Sequence, residues 1–363
     1  MDRRSFLSAS LGTLFWGDVL SSFAHAAELF SHAPAAFDVV PVVGDGKWIW
    51  NEPPKDEEGY LEPRPFELKI GIELKTSGKK SQVIAGTPVP VDFPEQKIED
   101  QSIEKKGCDA EIRTLDNGAA SLIVRSSHSA SKVVKATATF KLLLHKQYQR
   151  YSKDKFPPSQ KLEDDIRSNF LGESPGIQSK AKEVKELAKQ LSQDETHPWN
   201  KAQAFAQWIP RNIRGKPGRY TSVTAALKTR QGDCEEMSGL FVALCRASGI
   251  PARLILVPNH AWAEFYLVDN DGKGHWIPAH TACYFWFGWT GVHQLTLQKG
   301  DRILMPELNK TVRLQEDFVQ STGGRATPRF TAELRPLPRK PGDAPGPGAK
   351  RKEPTGQWTS MDV

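Results

Sequence analysis

Two hydrophobic rhythms divide this chain. Across the first half, apolar positions recur every second residue. Phe66, Leu68, Ile70, Ile72 and Leu74 alternate with Glu67, Lys69, Gly71, Glu73 and Lys75. Val134, Ala136, Ala138, Phe140, Leu142 and Leu144 alternate with Lys135, Thr137, Thr139 and Lys141. Successive side chains of a strand point to opposite faces, so this rhythm predicts strands with one buried face. Asp116-Asn117-Gly118 supplies a turn ahead of the strand-like Ser121-Leu122-Ile123-Val124. Antiparallel strands joined by such turns predict an all-β, sandwich-like domain over residues 37–150.

Further on the rhythm becomes helical. Ile177, Ala181, Val184, Leu187, Ala188 and Leu191 recur at three- and four-residue steps in a Lys- and Glu-rich stretch, which predicts a helix with a solvated outer face. Pro198 suits the first turn of a second helix carrying Ala202, Phe205, Trp208 and Ile209. A third follows Gly232-Asp233-Cys234, with Met237, Leu240, Phe241, Leu244 and Ala247 on its apolar face. Gly249 and Pro251 end it. Two strands are then predicted at 252–257 and 260–266, a polar turn at 269–274, and a returning strand from His275-Trp276-Ile277. The fold class expected is α+β, with a second domain over 160–330. Beyond about residue 335 Pro and Gly dominate, so 335–363 is expected to be a disordered tail.

Charge and the N-terminus narrow the function classes. The net charge is +6. Residues 335–363 hold Arg335, Arg339, Lys340, Lys350, Arg351 and Lys352 against Asp343, Glu353 and Asp362, so half the excess sits in the tail. The rest is nearly balanced, which argues against the dense basic face that nucleic acid requires. No run of about 20 apolar residues follows the N-terminal region, so no membrane-spanning segment is expected in the mature chain. Asp2-Arg3-Arg4-Ser5-Phe6-Leu7 resembles the twin-arginine export motif, an apolar region runs towards Ala24, and Ala24-His25-Ala26 has the small-x-small pattern of a cleavage site. Residues 1–26 are expected to be a signal peptide and the protein to be periplasmic or secreted. The alternative is an amphipathic first helix on a cytoplasmic protein.

The four cysteines, Cys108, Cys234, Cys245 and Cys283, form no dense disulfide framework. Cys245 falls inside an apolar helical pattern and reads as a buried structural thiol. Cys234 stands at a predicted helix start, where free amides and the helix dipole favour thiolate over thiol. A thiolate there is a candidate nucleophile. His260 shares one strand face with Trp262, Glu264 and Tyr266. His275, His280 and Cys283, with Cys234 and His260, supply zinc-type ligands, but their spacing matches no compact zinc module, so neither metal nor cofactor is expected.

Three blocks carry a resemblance. The first is Gly232-Asp233-Cys234-Glu235-Glu236, continued by Leu240-Phe241-Val242-Ala243-Leu244-Cys245-Arg246-Ala247-Ser248-Gly249-Ile250-Pro251-Ala252-Arg253. The second is His260-Ala261-Trp262-Ala263-Glu264-Phe265-Tyr266. The third is Trp276-Ile277-Pro278-Ala279-His280. In order and spacing they resemble the transglutaminase-like superfamily, of papain-type fold, over roughly residues 160–285. The resemblance implies a helix-borne nucleophile, Cys234, and a strand-borne base, His260. The third catalytic position, Asp in the family, is held here by His280. It also implies an acyl-enzyme on a protein or peptide substrate, released to water or to an amine. Hydrolysis is expected, because a water acceptor needs no second binding site. The competing expectation is a weak or inactive domain kept as a binding or scaffold module in the cell envelope. Arg246 and Arg253 are expected to be structural. The aromatic cluster Phe285, Trp286, Phe287 and Trp289 is expected in the core rather than in a substrate groove.

Overall fold

The computed structural model describes residues 57–338, apart from 78–80, 117, 129–131, 194, 217, 219, 259, 283–286 and 291. The expected signal peptide, Cys283, Phe285, Trp286 and the tail beyond 338 lie outside the described residues.

The period-two segments form long strands. β1 (Gly59–Ser77) pairs antiparallel with β6 (Lys132–Tyr148), and β3 (Gln96–Lys106) lies on the far side of β6. β2 (Ser81–Val89), β4 (Asp109–Leu115) and β5 (Ala119–His128) belong to a second sheet. The inner positions of β1 and β6, from Phe66 and Phe140 to Leu74 and Val134, are buried with Val83, Ala85, Leu122 and Val124 of the second sheet. On the solvent face of the first sheet the charges match across strands. Glu67 lies opposite Lys141 and Glu73 opposite Lys135. A slip of one residue would bury these charges and expose the apolar set, so the register is strongly specified.

The helical segments follow as α1 (Asp164–Phe170), α2 (Lys182–Ser192), α3 (Pro198–Asn212), α4 (Val223–Thr229) and α5 (Cys234–Ala247). α5 packs on β7 (Ala252–Val257) and β8 (His260–Val268), and β9 (Gly274–Ala279) returns along β8. After β10 (Trp289–Thr290), the short β11 (Gln298–Lys299) pairs with both β7 and β5. The second sheet therefore runs β9-β8-β7-β11-β5-β2, with β12 (Phe318–Thr322) at its edge. The class is α+β. The β-rich region and the helix-bearing core share one sheet and one apolar core. The irregular chain before β11 is buried, and at Thr296 a glutamine side chain satisfies its backbone. Gln96 accepts the Thr296 N–H (2.8 Å) and donates to the Thr296 carbonyl (2.9 Å). Among the described residues no helix is long and apolar enough to cross a membrane.

The last strand departs from expectation. β13 (Arg325–Pro336) pairs with β1 from Ser77 back to Phe66, and the Leu337 N–H still reaches the Pro65 carbonyl (2.9 Å). The boundary drawn at 330 thus falls inside a strand of the first sheet, and the tail drawn from 335 starts within it. Ala326, Pro328, Phe330, Ala332 and Leu334 do alternate with polar residues, but two alanines and a proline dilute the signal. A chain ending at Gly324 should leave the Phe66–Leu74 edge of β1 without its partner. It should lose cooperative thermal unfolding by circular dichroism and become aggregation-prone. A cooperative melt within a few degrees of the parent would show that β13 is dispensable.

Candidate active site

Cys234 is the first residue of α5 because the chain is capped just before it. Asp233 accepts the N–H groups of Glu235 (2.8 Å) and Glu236 (3.3 Å), and Glu236 returns to the Asp233 N–H (3.0 Å). This is a reciprocal capping box. A Cβ at Gly232 would meet the Glu236 Cβ at 2.6 Å, so only glycine leaves room for the box. Glu236 also accepts the Thr221 N–H (2.8 Å), which ties the preceding loop to the helix start.

His260 opens β8, and His280 is the first residue beyond β9. The antiparallel register, with Ala263 opposite Ala279, brings the two imidazoles to the same end of the strand pair. Their Nε2 atoms are 2.8 Å apart. A contact of that length between two imidazole nitrogens holds one proton, donated by one ring to the other. With His260 Nε2 as donor, its Nδ1 is basic and available to a thiol. With His280 as donor, His260 carries its proton on Nδ1 and cannot act as a base. A carboxylate can only accept, so it would permit the first arrangement alone.

The electrostatics of Cys234 differ from the expectation. Its side chain is 2% exposed, and burial pushes its thiol well above the ordinary range. The Asp233 and Glu235 carboxyls push the same way, and a hydrogen bond from the Ala261 backbone only partly offsets them. The helix start is where it was expected, but the amides of Glu235 and Glu236 are spent on Asp233 and the first turn carries acids. Desolvation and negative neighbours outweigh the dipole. Asp233 is itself pushed up to about 8, first by burial and then by Glu236. Burial, with a further push from His280, lowers His260 well below the ordinary histidine value. Both shifts favour the neutral forms, a thiol at Cys234 and an imidazole at His260.

The other singled-out residues sort as follows. Arg246 and Arg253 are structural, as expected. Arg246 is fully buried and gripped by Asp301 (2.9 Å). Arg253 pairs with Glu264 (2.7 Å) and lies 3.8 Å above the Trp276 ring. Lys299 joins Glu264 (2.9 Å) to Glu95 (2.7 Å), a buried charge chain from β8 to the β-rich region. Tyr266 donates to Glu163. His275 is committed to Asp269 (2.7 Å) and the Tyr151 hydroxyl (3.4 Å), apart from the histidine pair. Cys245 is fully buried. Phe287 stacks on Phe265 (5.3 Å), and Trp289 is buried with Trp262 and Val292 against Leu61 and Tyr148. Trp262 in turn meets the His280 ring edge-on (5.7 Å). The β-rich region thus buttresses the histidine pair, a link that strand periodicity cannot reveal.

Residues 185–281 match the family model described as the transglutaminase-like superfamily, and the match ends one residue past His280. This region is a transglutaminase-like domain. Among solved structures, the chain is similar to a candidate cysteine protease from Cytophaga hutchinsonii, with 20% identity and a TM-score of 0.54. That likeness covers 77% of this chain and 93% of the other, and it shows a shared fold spanning the β-rich region and the transglutaminase-like domain together. The periplasmic domain of TgpA from Pseudomonas aeruginosa also matches, at 14% identity over 72% of this chain and 94% of that one. Its TM-score is 0.30. No curated protein matches.

Proposed function

We propose that the chain is an exported cysteine hydrolase that cleaves peptide or amide bonds through an acyl-enzyme on Cys234. The observation that carries this reading is the 2.8 Å Nε2–Nε2 contact between His260 and His280; with His260 as its donor, the same ring's Nδ1 is the basic nitrogen that the reading needs. Because both groups rest neutral, proton transfer accompanies attack. His260 Nδ1 takes the thiol proton as sulfur bonds to the substrate carbonyl carbon, and the carbonyl electron pair moves onto oxygen. The Cys234 backbone N–H, at the helix start, offers a donor to that oxyanion. On collapse the C–N bond breaks and the leaving amine takes the proton from His260. Water, deprotonated by His260, then hydrolyses the thioester and returns the thiol.

One observation favours a second reading. His280 supplies no negative charge to an imidazolium, which suits a weak or inactive domain kept as a binding module. A panel of peptides and amines, with Cys234→Ala as control, separates the two. The expected result is turnover that Cys234→Ala abolishes, with a thioester of substrate mass trapped on Cys234 by acid quench. Equal background from both folded proteins would leave the binding module. Export rests on the motif at Arg3 and Arg4 and on the Ala24-His25-Ala26 site. N-terminal sequencing of envelope protein should find a start close to Ala27; abundant cytoplasmic protein starting at Met1 or Asp2 would overturn it.

A further inference from the structure

Ser238 lies one turn along α5 from Cys234, so both side chains project from the same helix face. Its environment is dry: Ser238 is 0% and Thr281 1% exposed. A serine inside a helix usually bonds back to the carbonyl four residues earlier or turns to solvent. Ser238 does neither. Its hydroxyl donates to the Ala261 carbonyl (3.0 Å), across to β8, and lies 3.3 Å from the Thr281 hydroxyl. Since the Ser238 proton goes to Ala261, Thr281 is the donor in the second contact. The chain of donation runs from Thr281 to Ser238 to the Ala261 carbonyl.

Each end of that chain lies one residue from a histidine of the pair. Ala261 follows His260, and Thr281 follows His280. Ala261 also meets the helix a second time, through the backbone hydrogen bond to the Cys234 thiol. Two points one turn apart on α5 therefore grip a single residue of β8, and the upper point also holds the segment carrying His280. Alanine would serve the helix better than serine here. Nothing in α5 itself needs the hydroxyl.

We propose that Ser238 and Thr281 form a hydroxyl strut that sets the depth of Cys234 against the His260–His280 pair, making both of them positioning residues. The inference rests on the reading of Cys234 and His260 as nucleophile and base. Without the strut the helix keeps its apolar packing, but the thiol and Nδ1 lose their fixed separation. Hydrogen bonds in a dry, low-dielectric interior hold geometry more stiffly than exposed ones.

The test is the iodoacetamide alkylation rate of Cys234 against pH, read by peptide mapping on the full chain well below each thermal midpoint. Ser238→Ala and Thr281→Val should each lower the neutral-pH rate by roughly three- to tenfold, the range expected for one lost hydrogen bond. Both should also move the pH of half-maximal rate, whereas Thr281→Ser keeps the hydroxyl and should keep the parent profile. Thr281→Val leaves the helix untouched, so it carries the test alone if Ser238→Ala does not fold. Profiles for Ser238→Ala and Thr281→Val that superimpose on the parent, whatever their midpoints, would overturn the strut. A His260→Ala profile that superimposes on the parent would instead overturn the nucleophile–base reading.

Discussion

Arg246→Met should lower unfolding stability by about 3–5 kcal/mol, the range for breaking one partner of a buried ion pair. Arg246 is buried in α5 and shares its guanidinium among the Asp301 carboxylate (2.9 Å), the Ala252 carbonyl (2.7 Å), the Gly172 carbonyl (2.9 Å) and Ser174 (3.0 Å). Asp301 in turn accepts the Leu254 N–H (3.1 Å). One side chain thus joins α5, the first strand beyond it, the loop before α2 and the chain after β11. Methionine fills similar space but leaves Asp301 as an uncompensated buried charge and strands two carbonyls. Replacing Asp301 with leucine in the same chain should recover part of the loss. Urea unfolding measures both. A single-variant loss below about 1 kcal/mol would mean that water reaches Asp301 and that the pair is not dry.

His280→Asp should raise the alkylation rate of Cys234 about tenfold or more at pH 6, and less at pH 8. An opposite charge against an imidazole typically raises its pKa by about 1–3 units. His260 now sits well below the ordinary value, through burial and then His280. The sign follows: a carboxylate at 280 favours the imidazolium, which in turn stabilises a thiolate on Cys234, so reactivity extends to lower pH. At pH 8 less of His260 stays protonated to give that help, so the gain shrinks. The carboxylate would also hold His260 in its basic-Nδ1 tautomer, because it accepts and cannot donate. His280→Ala should lower the rate modestly, by loss of orientation rather than of charge. Rate–pH curves for parent, His280→Asp and His280→Ala decide it. Three superimposable curves would mean that the 2.8 Å contact has no bearing on Cys234.

Much of this molecule is written locally. The alternation in β1 and β6, the helical period before α2, and Gly249 and Pro251 behind α5 all act over a few residues, so they are legible in order along the chain. The transglutaminase-like blocks were legible for the same reason: a capped helix start, a histidine opening a strand and a tryptophan four residues before the third position are short-range patterns. The pairing of His260 with His280 followed from those blocks by resemblance. Its 2.8 Å contact depends on the register of β8 with β9.

What the sequence by itself determined was the strand character of 66–74 and 134–144, the helix that starts at Cys234, and the strand that His260 opens. Those are decided by period, by caps and by turn chemistry. Tertiary structure alone decided three things. It placed β13 on β1, because the alternation within β13 is faint and a partner some 250 residues away leaves no local mark. It set the protonation of Cys234, because the dipole that favours a thiolate is local and readable. The burial that overrides it comes only with tertiary packing around the sulfur, and the adjacent carboxyls add to it. And it joined Ser238 to Thr281 and Trp262 to Tyr148 and Trp289, contacts between residues far apart in the chain that no period or motif encodes.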